Sequence, residues 1–377
     1  MSWKFPTYEI DSPLNWEKMS RKFSWIEDMK DVAQDPLWHA EGDVFVHTQM
    51  VLESLIDQPE FKLLSDEEKH AMVAAALLHD VEKRSTTQRE QIEGEERITS
   101  PGHAKKGEYS SRDFLYRSIP SPFPLREEVA KLVRLHGLPI WAIEKEDPQK
   151  AVILASLLVD TQKLALLARA DVLGRICPDQ EEMLLRIEMF EELCKENDCF
   201  GKPKTFKSAY GRYEYLNKPN ISPDYEPFED HKSEVILMSA LPGSGKDYYI
   251  NRHFDLPVLS LDDLRRMHKV DPRNKKKNGQ IIQLGKEKAK EFLRARQNFV
   301  YNATNISSQM RGRWVDLFVS YGARVKIVYV EVPFQKLLSQ NKNREYMVPE
   351  IAIAKMMGKW EIPSVKEAHE VLFEVDS

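Results

Sequence analysis

Cysteine is scarce in this chain and long apolar runs are absent, and each of these facts excludes a class of protein. Three of the 377 residues are cysteines, an odd number without the spacing of a metal site. Neither a disulfide framework nor a zinc cluster is therefore expected. No run of 18 or more apolar residues occurs, so we expect no membrane-spanning helix. The first six residues lack the apolar core of a signal peptide, and we predict a cytoplasmic protein.

Charged residues are abundant, and they are distributed unevenly. Apolar residues make up 42% and charged residues 31% of the sequence, as in a globular protein, and 377 residues suffice for two domains. Lys and Arg exceed Asp and Glu by about eight over residues 231–377. Because the whole chain has a net charge of −5, residues 1–230 carry about −13. The basic second half favours a polyanionic partner, and the acidic first half suits clustered metal ligands.

The hydrophobic pattern changes near the middle of the chain. Residues 1–200 repeat apolar residues at three- and four-residue steps, clearly in 71–78 and 151–173, which predicts a helical domain. Residues 201–232 lose this period and are predicted to be a linker or interdomain tether. Residues 233–377 alternate short apolar runs with helical segments, which predicts an α/β domain with a parallel sheet. The expected fold class is thus two-domain, all-α followed by α/β.

Local sequence identifies the elements around the candidate sites. The predicted strands of the second half are 235–238, 258–261, 299–301 and 325–330. Two polar segments, 85–102 and 269–280, are predicted to be loops. The second of these is expected to be an exposed basic surface. Its basic residues are Lys269, Arg273, Lys275, Lys276 and Lys277.

Histidine and aspartate recur through the helical half in a pattern that suits metal binding. The residues are His47, His79, Asp80, His103, His136 and Asp171. Imidazole and carboxylate together bind first-row transition metals and leave positions open for water and substrate. His79 and Asp80 end a strongly apolar helix, where a carboxylate needs a compensating charge. Each histidine taken singly is more often a hydrogen-bonded core residue, so the argument depends on the ordered set.

The order of these residues resembles the HD phosphohydrolase superfamily. The resemblance covers about residues 40–175. It rests on the segments 42–48 (GDVFVHT), 76–83 (ALLHDVEK), 102–107 (GHAKKG), 135–136 (LH) and 169–171 (RAD). The family's activity is the metal-dependent removal of phosphate groups, so the resemblance implies a phosphomonoesterase or phosphodiesterase with an all-α fold.

The same resemblance implies the roles of individual residues. The implied ligands are His47, His79, Asp80 and Asp171 around one divalent ion such as Mn²⁺, Co²⁺ or Ni²⁺, with His103 and His136 available for a second. Lys83 matches a lysine that often faces the phosphate, and Glu82 stands where glycine is common. Asp160 is an alternative last ligand, but the Ala-Asp-x-Leu context favours Asp171.

A glycine-rich loop follows the first predicted strand of the second half. Residues 240–247 read ALPGSGKD. A strand, a tight glycine turn and a helix N-terminus together present backbone N–H groups to phosphate oxygens. Gly243 and Gly245 allow the close approach, and Lys246 can reach the β- and γ-phosphates of a nucleotide.

Two departures weaken the loop motif when it is taken alone. Ala240 replaces the first glycine of the G-x-x-x-x-G-K-[ST] pattern, and Asp247 replaces its Mg²⁺-binding hydroxyl. A glycine-rich turn with a solvated lysine is the simpler alternative. Many P-loop proteins that this loop resembles have Asp directly before the Ala-Thr-Asn sequence, at the position where this chain has Asn302. The two changes suggest the hypothesis that the carboxylate near Mg²⁺ has moved to the loop.

Later segments support the nucleotide interpretation. They are 260–265 (SLDDLR), 302–305 (NATN) and 341–344 (NKNR). Together with the loop they resemble the P-loop polynucleotide 5′-kinases over about residues 233–362. The donor contacts implied by this resemblance are Gly243, Ser244, Gly245, Lys246 and Asp247, with ATP and Mg²⁺ as cofactors. The implied acceptor and lid residues are Asp262 as general base, Arg265 on the acceptor's 3′-side phosphate, Arg344 on the transferred phosphoryl group, and Arg311 and Arg313 as further substrate contacts.

In this order the two halves resemble bacterial bifunctional enzymes that join an HD phosphohydrolase to a polynucleotide 5′-kinase. The resemblance implies healing of RNA or DNA ends, with a ligase acting downstream. Two other classes fit the same motifs. One is an HD nucleotidohydrolase fused to a small-molecule kinase, which needs an enclosed acceptor pocket. The other is a nucleotide sensor that binds ATP without transferring phosphate.

Overall fold

The computed structural model of the chain describes residues 2–271 and 274–376, without the side chain of Lys275. These residues form two compact units, one up to Lys204 and one from Thr205. The segment predicted as a linker or tether, 201–232, contains a helix, and most of the segment groups with the second unit.

The first unit consists of helices and one hairpin. Its helices are α1 (Trp16–Lys22), α2 (Ser24–Glu27), α3 (Val44–Asp57), α4 (Pro59–Lys62), α5 (Asp66–Leu78), α6 (Lys83–Thr86), α7 (His103–Asp113), α8 (Phe123–Leu135), α9 (Leu138–Trp141), α10 (Pro148–Ser156), α11 (Thr161–Leu173) and α12 (Gln180–Glu196). A π-helical turn, Phe114–Ser118, follows α7, and a 3₁₀ turn, Ala142–Glu144, follows α9. The antiparallel strands β1 (Gln88–Ile92) and β2 (Glu95–Thr99) form the hairpin.

Helix α5 forms the centre of the helical unit. Ser65 and Glu68 close a capping box at its N-terminus, which satisfies backbone N–H groups that the helix itself cannot pair. All its residues from His70 to Leu78 are buried. Such a helix has no solvent-facing side near its end, so the residues that follow, His79 and Asp80, enter the core.

The described residues include no single helix that combines the length and apolarity of a membrane span. Helices α10 and α11 meet these limits only when they are taken together, and they are bent by 109° relative to each other.

The second unit alternates helices and strands, as predicted. Its helices are α13 (Ala209–Asn217), α14 (Lys246–His253), α15 (Leu261–Met267), α16 (Lys275–Arg294), α17 (Ser308–Ser320), α18 (Phe334–Lys342) and α19 (Glu350–Met357). Its strands are β3 (Ser233–Ser239), β4 (Val258–Ser260), β5 (Phe299–Asn302), β6 (Ala323–Glu331) and β7 (Glu370–Val375). All five strands are parallel, in the order β4-β5-β3-β6-β7.

The sheet is buried on both faces because the residues of β3 alternate between two cores. Val235 and Leu237 pack in one cluster with residues of α16 and α17. Ile236 and Met238 pack in the other with Ile250 of α14. The chain order reverses at β3, so the carboxyl end of this central strand is the place where α/β sheets bind ligands.

Three local predictions differ from the structure. The loop predicted over 85–102 contains the hairpin β1-β2, whose polar residues are largely exposed and show no apolar alternation. The basic loop predicted over 269–280 is helical from Lys275, because Asn274 caps α16 by accepting from Lys277 N at 3.1 Å. Arg273 lies outside the described residues. The edge strand β7 was not predicted.

Candidate functional site

Close packing of α3 on α11 brings the first metal-ligand candidates together. At the end of α11, Gly174 lies so close to α3 that a Cβ there would be 2.6 Å from Val51 Cγ2. With no side chain in the way, His47 Nδ1 donates to Gly174 O at 3.1 Å. His47 Nε2 then lies 3.1 Å from Asp171 Oδ1, although the two residues are far apart in the sequence.

Asp80 lies at the centre of the His/Asp set, with one carboxylate oxygen on each side. Its Oδ2 is 3.3 Å from His79 Nε2 and 3.7 Å from His47 Nε2. Its Oδ1 is 3.3 Å from His103 Nε2 and 3.9 Å from His136 Nε2. The two donor groups therefore share Asp80. This is the arrangement that a carboxylate bridging two metal ions needs.

All four histidines turn the same ring nitrogen toward Asp80. Each Nδ1 lies 2.7 to 3.1 Å from a backbone carbonyl oxygen. The pairs are His47 with Gly174, His79 with Ala76, His103 with Ser100 and His136 with Val133. Because a carbonyl oxygen only accepts, each Nδ1 is the donor of its pair, and each Nε2 is the ring nitrogen left to face Asp80. Neutral imidazole in this tautomer is a metal ligand held by a second hydrogen bond.

The cluster contains two buried polar atoms with unmet hydrogen-bonding capacity. Asp80 Oδ1 and His103 Nε2 have no hydrogen-bond partner among the described residues, yet they are 3.3 Å apart. A carboxylate oxygen that faces imidazole lone pairs in a buried site is unfavourable unless a cation lies between them. The residues present therefore fit one or two divalent ions of the type that binds imidazole together with carboxylate.

The charge states of the cluster also suit metal binding. Burial raises the pKa of a carboxyl group, but Lys83 and His79 outweigh it and hold the pKa of Asp80 well below its usual range. Burial lowers the pKa of His136 to about 4. At neutral pH the site thus offers an ionised carboxylate and a neutral imidazole, the protonation states of metal ligands.

The two candidates for the last ligand occupy different surroundings. Asp171 is fully buried beside His47 and is paired with Arg175, whose Nη2 lies 2.6 Å from Asp171 Oδ2. Asp160 instead caps α11, where its Oδ1 accepts from the backbone N–H groups two and three residues further on. Of the two alternatives, the geometry favours Asp171.

Lys83 and Glu82 lie at the rim of the same cluster. Lys83 Nζ is 2.7 Å from Asp80 Oδ2 and donates to Gln34 Oε1 at 2.8 Å. Glu82 has φ −91°, so the turn does not need the glycine that is common at this position. Its carboxylate accepts from Ser110 Oγ at 2.7 Å and thereby ties the turn to α7.

Sequence reasoning missed three residues that hold the ligands in place. Glu41 Oε1 lies 2.9 Å from His47 Nδ1 and 2.8 Å from His39 Nδ1, so a carboxylate supports the ligand imidazole from behind. Arg175 and Gln34 are the other two. The four-residue spacing of Arg175 from Asp171 was a usable signal, because such pairs meet on one helix face. Glu41 and Gln34 come from irregular segments that give no such signal.

In the second unit, the glycine-rich loop joins β3 to α14 through two left-handed residues. Gly243 has φ 91° and Gly245 has φ 85°, values that disfavour any side chain. A Cβ at Gly243 would also lie 2.7 Å from Leu337 O in α18. Helix α14 begins at Lys246, so its unpaired N-terminal N–H groups follow directly after the turn.

Hydrogen bonds attach the start of this loop to the chain after β5. Ala240 N donates to Thr304 O at 2.9 Å. Ser239 Oγ donates to Asn305 O at 2.9 Å, and Asn305 Nδ2 donates to Met238 O at 2.8 Å. These bonds hold the Asn-Ala-Thr-Asn segment, predicted from its resemblance, beside the phosphate loop.

A cavity of about 1690 Å³ opens beside the loop. The loop, α15, the first turns of α16 and the segment 344–356 line it. Lys246, Asp262, Arg265 and Arg344 all contribute to this lining. The structure therefore brings together the candidate donor, acceptor and lid residues of the second unit.

Asp262 and Arg265 lie on one face of α15, as their spacing predicts. They form an ion pair, and Arg265 Nε donates to Asn278 Oδ1 at 2.7 Å. The side chain of Asp262 is 48% exposed, so its carboxylate is open to a hydroxyl group that enters the cavity.

The structure contradicts the predicted substrate role of Arg311. Its side chain is fully buried and is bonded to Glu367, to Asn305 O at 3.0 Å and to Glu361 O at 2.8 Å. A guanidinium held in this way cannot reach a substrate, and it serves instead to fix the chain after β5. Arg313 is exposed, and the residues that line the cavity do not include it.

Replacing Arg311 should therefore affect stability rather than substrate binding. Arg311→Met removes the buried charge partner of Glu367 and one donor each from Asn305 O and Glu361 O, and we expect it to lower the free energy of unfolding by about 3–5 kcal/mol. The exposed Arg313→Met on the same helix is the matched control and should change it by less than about 0.5 kcal/mol. Urea denaturation measures both. An Arg311→Met protein as stable as the control would contradict this assignment.

Comparisons with known proteins agree with the two predicted domain types. Residues 45–175 match the family model of the HD domain, and residues 235–363 match that of an AAA domain. These matches confirm both resemblances at the level of domain type. No curated protein matches the sequence.

The similar solved structures have low sequence identity, and each of those described here covers less than two fifths of this chain. A Chloroflexus aurantiacus protein described as a kinase aligns with 13% identity and TM-score 0.34, over 38% of this chain and 86% of that one. A sugar kinase from Janibacter sp. aligns with 13% identity and TM-score 0.30, over 38% and 85%. The Pnkp1/Rnl/Hen1 RNA repair complex aligns with 21% identity and TM-score 0.31, over 34% of this chain and only 44% of that one.

The helical unit thus contains a buried His/Asp cluster that fits a divalent metal ion, and the second unit has a glycine-rich loop between a strand and a helix of a parallel α/β sheet. The chain joins an HD domain, residues 45–175, to a P-loop kinase domain of the AAA type, residues 235–363.

Proposed function

We propose that the chain heals the ends of broken RNA. In this proposal the helical unit removes a 2′- or 3′-phosphate, or opens a 2′,3′-cyclic phosphate. The second unit transfers the γ-phosphoryl group of ATP to a 5′-hydroxyl. A strand with a 3′-hydroxyl and a 5′-phosphate is what a ligase joins, so an RNA ligase is the partner reaction.

The cavity beside the phosphate loop is the observation that carries this proposal. Its volume of about 1690 Å³ exceeds the roughly 300–1,000 Å³ of a pocket for one small ligand, so it has room for an acceptor beside the nucleotide. Arg265, Arg266 and Lys269 supply positive charge along one wall. Tyr346 and Met347, which are 57% and 59% exposed, supply apolar surface on another. Cations beside an exposed aromatic ring are typical of single-stranded nucleic-acid binding.

In the helical unit the proposed roles follow from the contacts of Asp80. A divalent metal held by the His/Asp set lowers the pKa of a bound water and offsets the charge of the phosphate. Asp80 joins the two donor groups, and the imidazoles keep their Nε2 atoms directed at it. Lys83, fixed by Gln34 and Asp80, places an ammonium group where a phosphate oxygen needs a donor.

In the second unit the proposed reaction is an in-line displacement at the γ-phosphorus. The 5′-oxygen forms the new P–O bond, the β–γ bridging bond breaks, and ADP leaves. Asp262 takes the hydroxyl proton, and Arg265 holds the phosphate on the acceptor's 3′ side. Lys246 and Arg344 offset the charge on the transferred group.

The direct test uses an oligonucleotide with a 5′-hydroxyl and a 3′- or 2′-phosphate, made as RNA and as DNA. It is incubated with ATP and with Mg²⁺, Mn²⁺, Co²⁺ or Ni²⁺ in turn. We expect both ends to be processed, and binding should weaken steeply as salt concentration rises. Phosphorylation of a nucleoside or sugar but of no strand end would favour the small-molecule kinase. ATP binding without any transfer would favour the sensor.

Tyr346 provides a prediction that distinguishes a nucleic-acid acceptor from a small-molecule acceptor. The Arg266 guanidinium lies over its ring, 5.4 Å from the centroid, and both residues line the cavity. We expect Tyr346→Ala to raise the KM for a 5′-hydroxyl oligonucleotide roughly 5- to 150-fold, the loss of one base stack of about 1–3 kcal/mol. The KM for ATP should stay unchanged.

Two controls make this test specific. Tyr346→Phe keeps the aromatic face and should retain a normal KM. An oligonucleotide that lacks its 5′-terminal base should bind the wild type weakly, with the same KM that the complete oligonucleotide has for Tyr346→Ala. Tyr346→Ala should not raise the KM of the shortened oligonucleotide any further. Fully additive effects, or a raised KM for ATP, would show that Tyr346 does not stack on the acceptor.

A further inference from the structure

Asp247 is the residue of the phosphate loop that departs most from the usual chemistry. It follows Lys246 in the first turn of α14, where P-loop proteins commonly place a hydroxyl that binds Mg²⁺. Its Oδ1 lies 3.2 Å from Lys246 Nζ. The side chain is 62% exposed and belongs to the cavity lining, so its carboxylate can reach a ligand there.

Asn302 faces Asp247 from the neighbouring strand. It ends β5, which pairs in parallel with β3, the strand that leads into the phosphate loop. Asn302 Nδ2 donates to Asp247 Oδ1 at 2.8 Å. A strand beside the phosphate loop is where P-loop enzymes place a second, acidic residue for Mg²⁺. Here that position is a neutral amide.

The amide of Asn302 is not fully satisfied. The residue is 8% exposed, and its Oδ1 is buried without a hydrogen-bond partner in the part of the chain that the structure describes. Its donor side is used by Asp247, so the free atom is an acceptor oxygen. An acceptor of this kind suits a water molecule carried by a metal ion, since Mg²⁺ usually keeps several waters.

The relative position of the two residues is fixed by the sheet. Leu237 of β3 is in register with Tyr301 of β5, one residue before Asn302. The bond from Ala240 N to Thr304 O holds the following residues to the start of the loop. The pair therefore meets through backbone constraints and not through a chance contact of flexible side chains.

We propose that Asp247 supplies the carboxylate for the Mg²⁺ of the donor nucleotide, and that Asn302 positions it and accepts from a water of that ion. The carboxylate has in effect moved from the strand to the phosphate loop, and an amide takes its place on the strand. One hard anionic oxygen beside the phosphates satisfies what Mg²⁺ needs. The proposal rests on the proposed use of Mg²⁺-ATP by the second unit, but not on the identity of the acceptor.

Variants that restore the usual hydroxyl on the loop and the usual carboxylate on the strand test this directly. The proteins are the wild type, Asp247→Ser, Asn302→Asp, the double variant Asp247→Ser/Asn302→Asp, and Asp247→Asn, which removes the charge while keeping the shape. The measurement is the Kd of ATP by calorimetry, with Mg²⁺ and with EDTA. All proteins also carry Asp80→Ala, so that metal in the helical unit does not contribute.

We expect Asp247→Ser and Asp247→Asn to weaken Mg²⁺-ATP binding by about 10-fold or more, because one of the few carboxylate ligands of the ion is lost. ATP binding in EDTA should not weaken. Asn302→Asp alone places two carboxylates side by side and should weaken ATP binding in EDTA. The double variant should recover Mg²⁺-ATP binding to within about 3-fold of the wild type, roughly 0.6 kcal/mol.

Thermal unfolding confirms that each variant is folded. The proposal is overturned if both Asp247 variants keep the full effect of Mg²⁺ on ATP binding. It is equally overturned if the double variant binds no better than Asp247→Ser, or if the wild type does not bind ATP. Mg²⁺-dependent ATP binding without phosphorylation of any RNA end would sink the proposed function while leaving this assignment intact.

Discussion

Asp80→Ala is expected to abolish phosphate removal and to leave the kinase reaction unchanged. Asp80 is shared by both donor groups, so its loss removes a ligand from each. Changes to residues that only support metal ligands already cost about 10- to 100-fold, and removal of the shared ligand should exceed that range. Release of phosphate from a 3′-phosphorylated oligonucleotide measures the effect, together with the metal content of the purified protein.

Asp160→Ala is the matched control for this experiment. Asp160 belongs to the same unit but caps α11, so its loss should cost about 0.5–2 kcal/mol of stability. Phosphate release per folded molecule and metal content should remain normal. If Asp160→Ala lost metal and Asp80→Ala retained it, the assignment of the ligands would be wrong.

Asp262→Asn is expected to give the corresponding loss in the second unit. The amide keeps the size of the side chain but cannot take the proton of the acceptor hydroxyl. General-base catalysis contributes about 10²- to 10⁴-fold, and kcat for 5′-phosphorylation should fall within that range. The Kd of ATP should stay the same, because the phosphate loop is untouched. Single-turnover transfer of labelled phosphate measures the effect.

Asp263→Asn is the natural control, since Asp263 is the next residue, is exposed and does not belong to the cavity lining. Its kcat should equal that of the wild type. A normal kcat for Asp262→Asn would remove the general base from the mechanism. A loss equal in both variants would indicate a distorted helix instead.

The sequence predicted the helical site well because the required residue types are rare and ordered. The ordered segments resemble the HD superfamily, and that resemblance implied that His47, Asp80 and His136 lie close together, as they do in the structure. Glu41 could not be found in the same way. It comes from an irregular segment, and only the folded chain shows that its carboxylate supports His47.

The second unit was predictable where strands are buried on both faces. The three central strands, β5, β3 and β6, come from mainly apolar runs, which is the expected signature of a parallel sheet. Strand β7 lies at an edge and is partly exposed, and Glu370 and Glu374 interrupt its apolar pattern. Sequence also cannot tell a buried arginine from an exposed one. For this reason Arg311, a structural residue, was assigned with Arg313 to the substrate.

The contact of Gly243 with α18 has a consequence for mutational tolerance. Two conditions meet at this residue, a left-handed backbone and a distance of 2.7 Å from a would-be Cβ to Leu337 O. Any replacement must therefore move either the phosphate loop or the helix that leads to Arg344. Insertions and deletions within α18 would likewise change the distance between Leu337 O and Gly243. Two segments far apart in the sequence are therefore sterically coupled at this contact, and engineering of α18 has to take the loop into account.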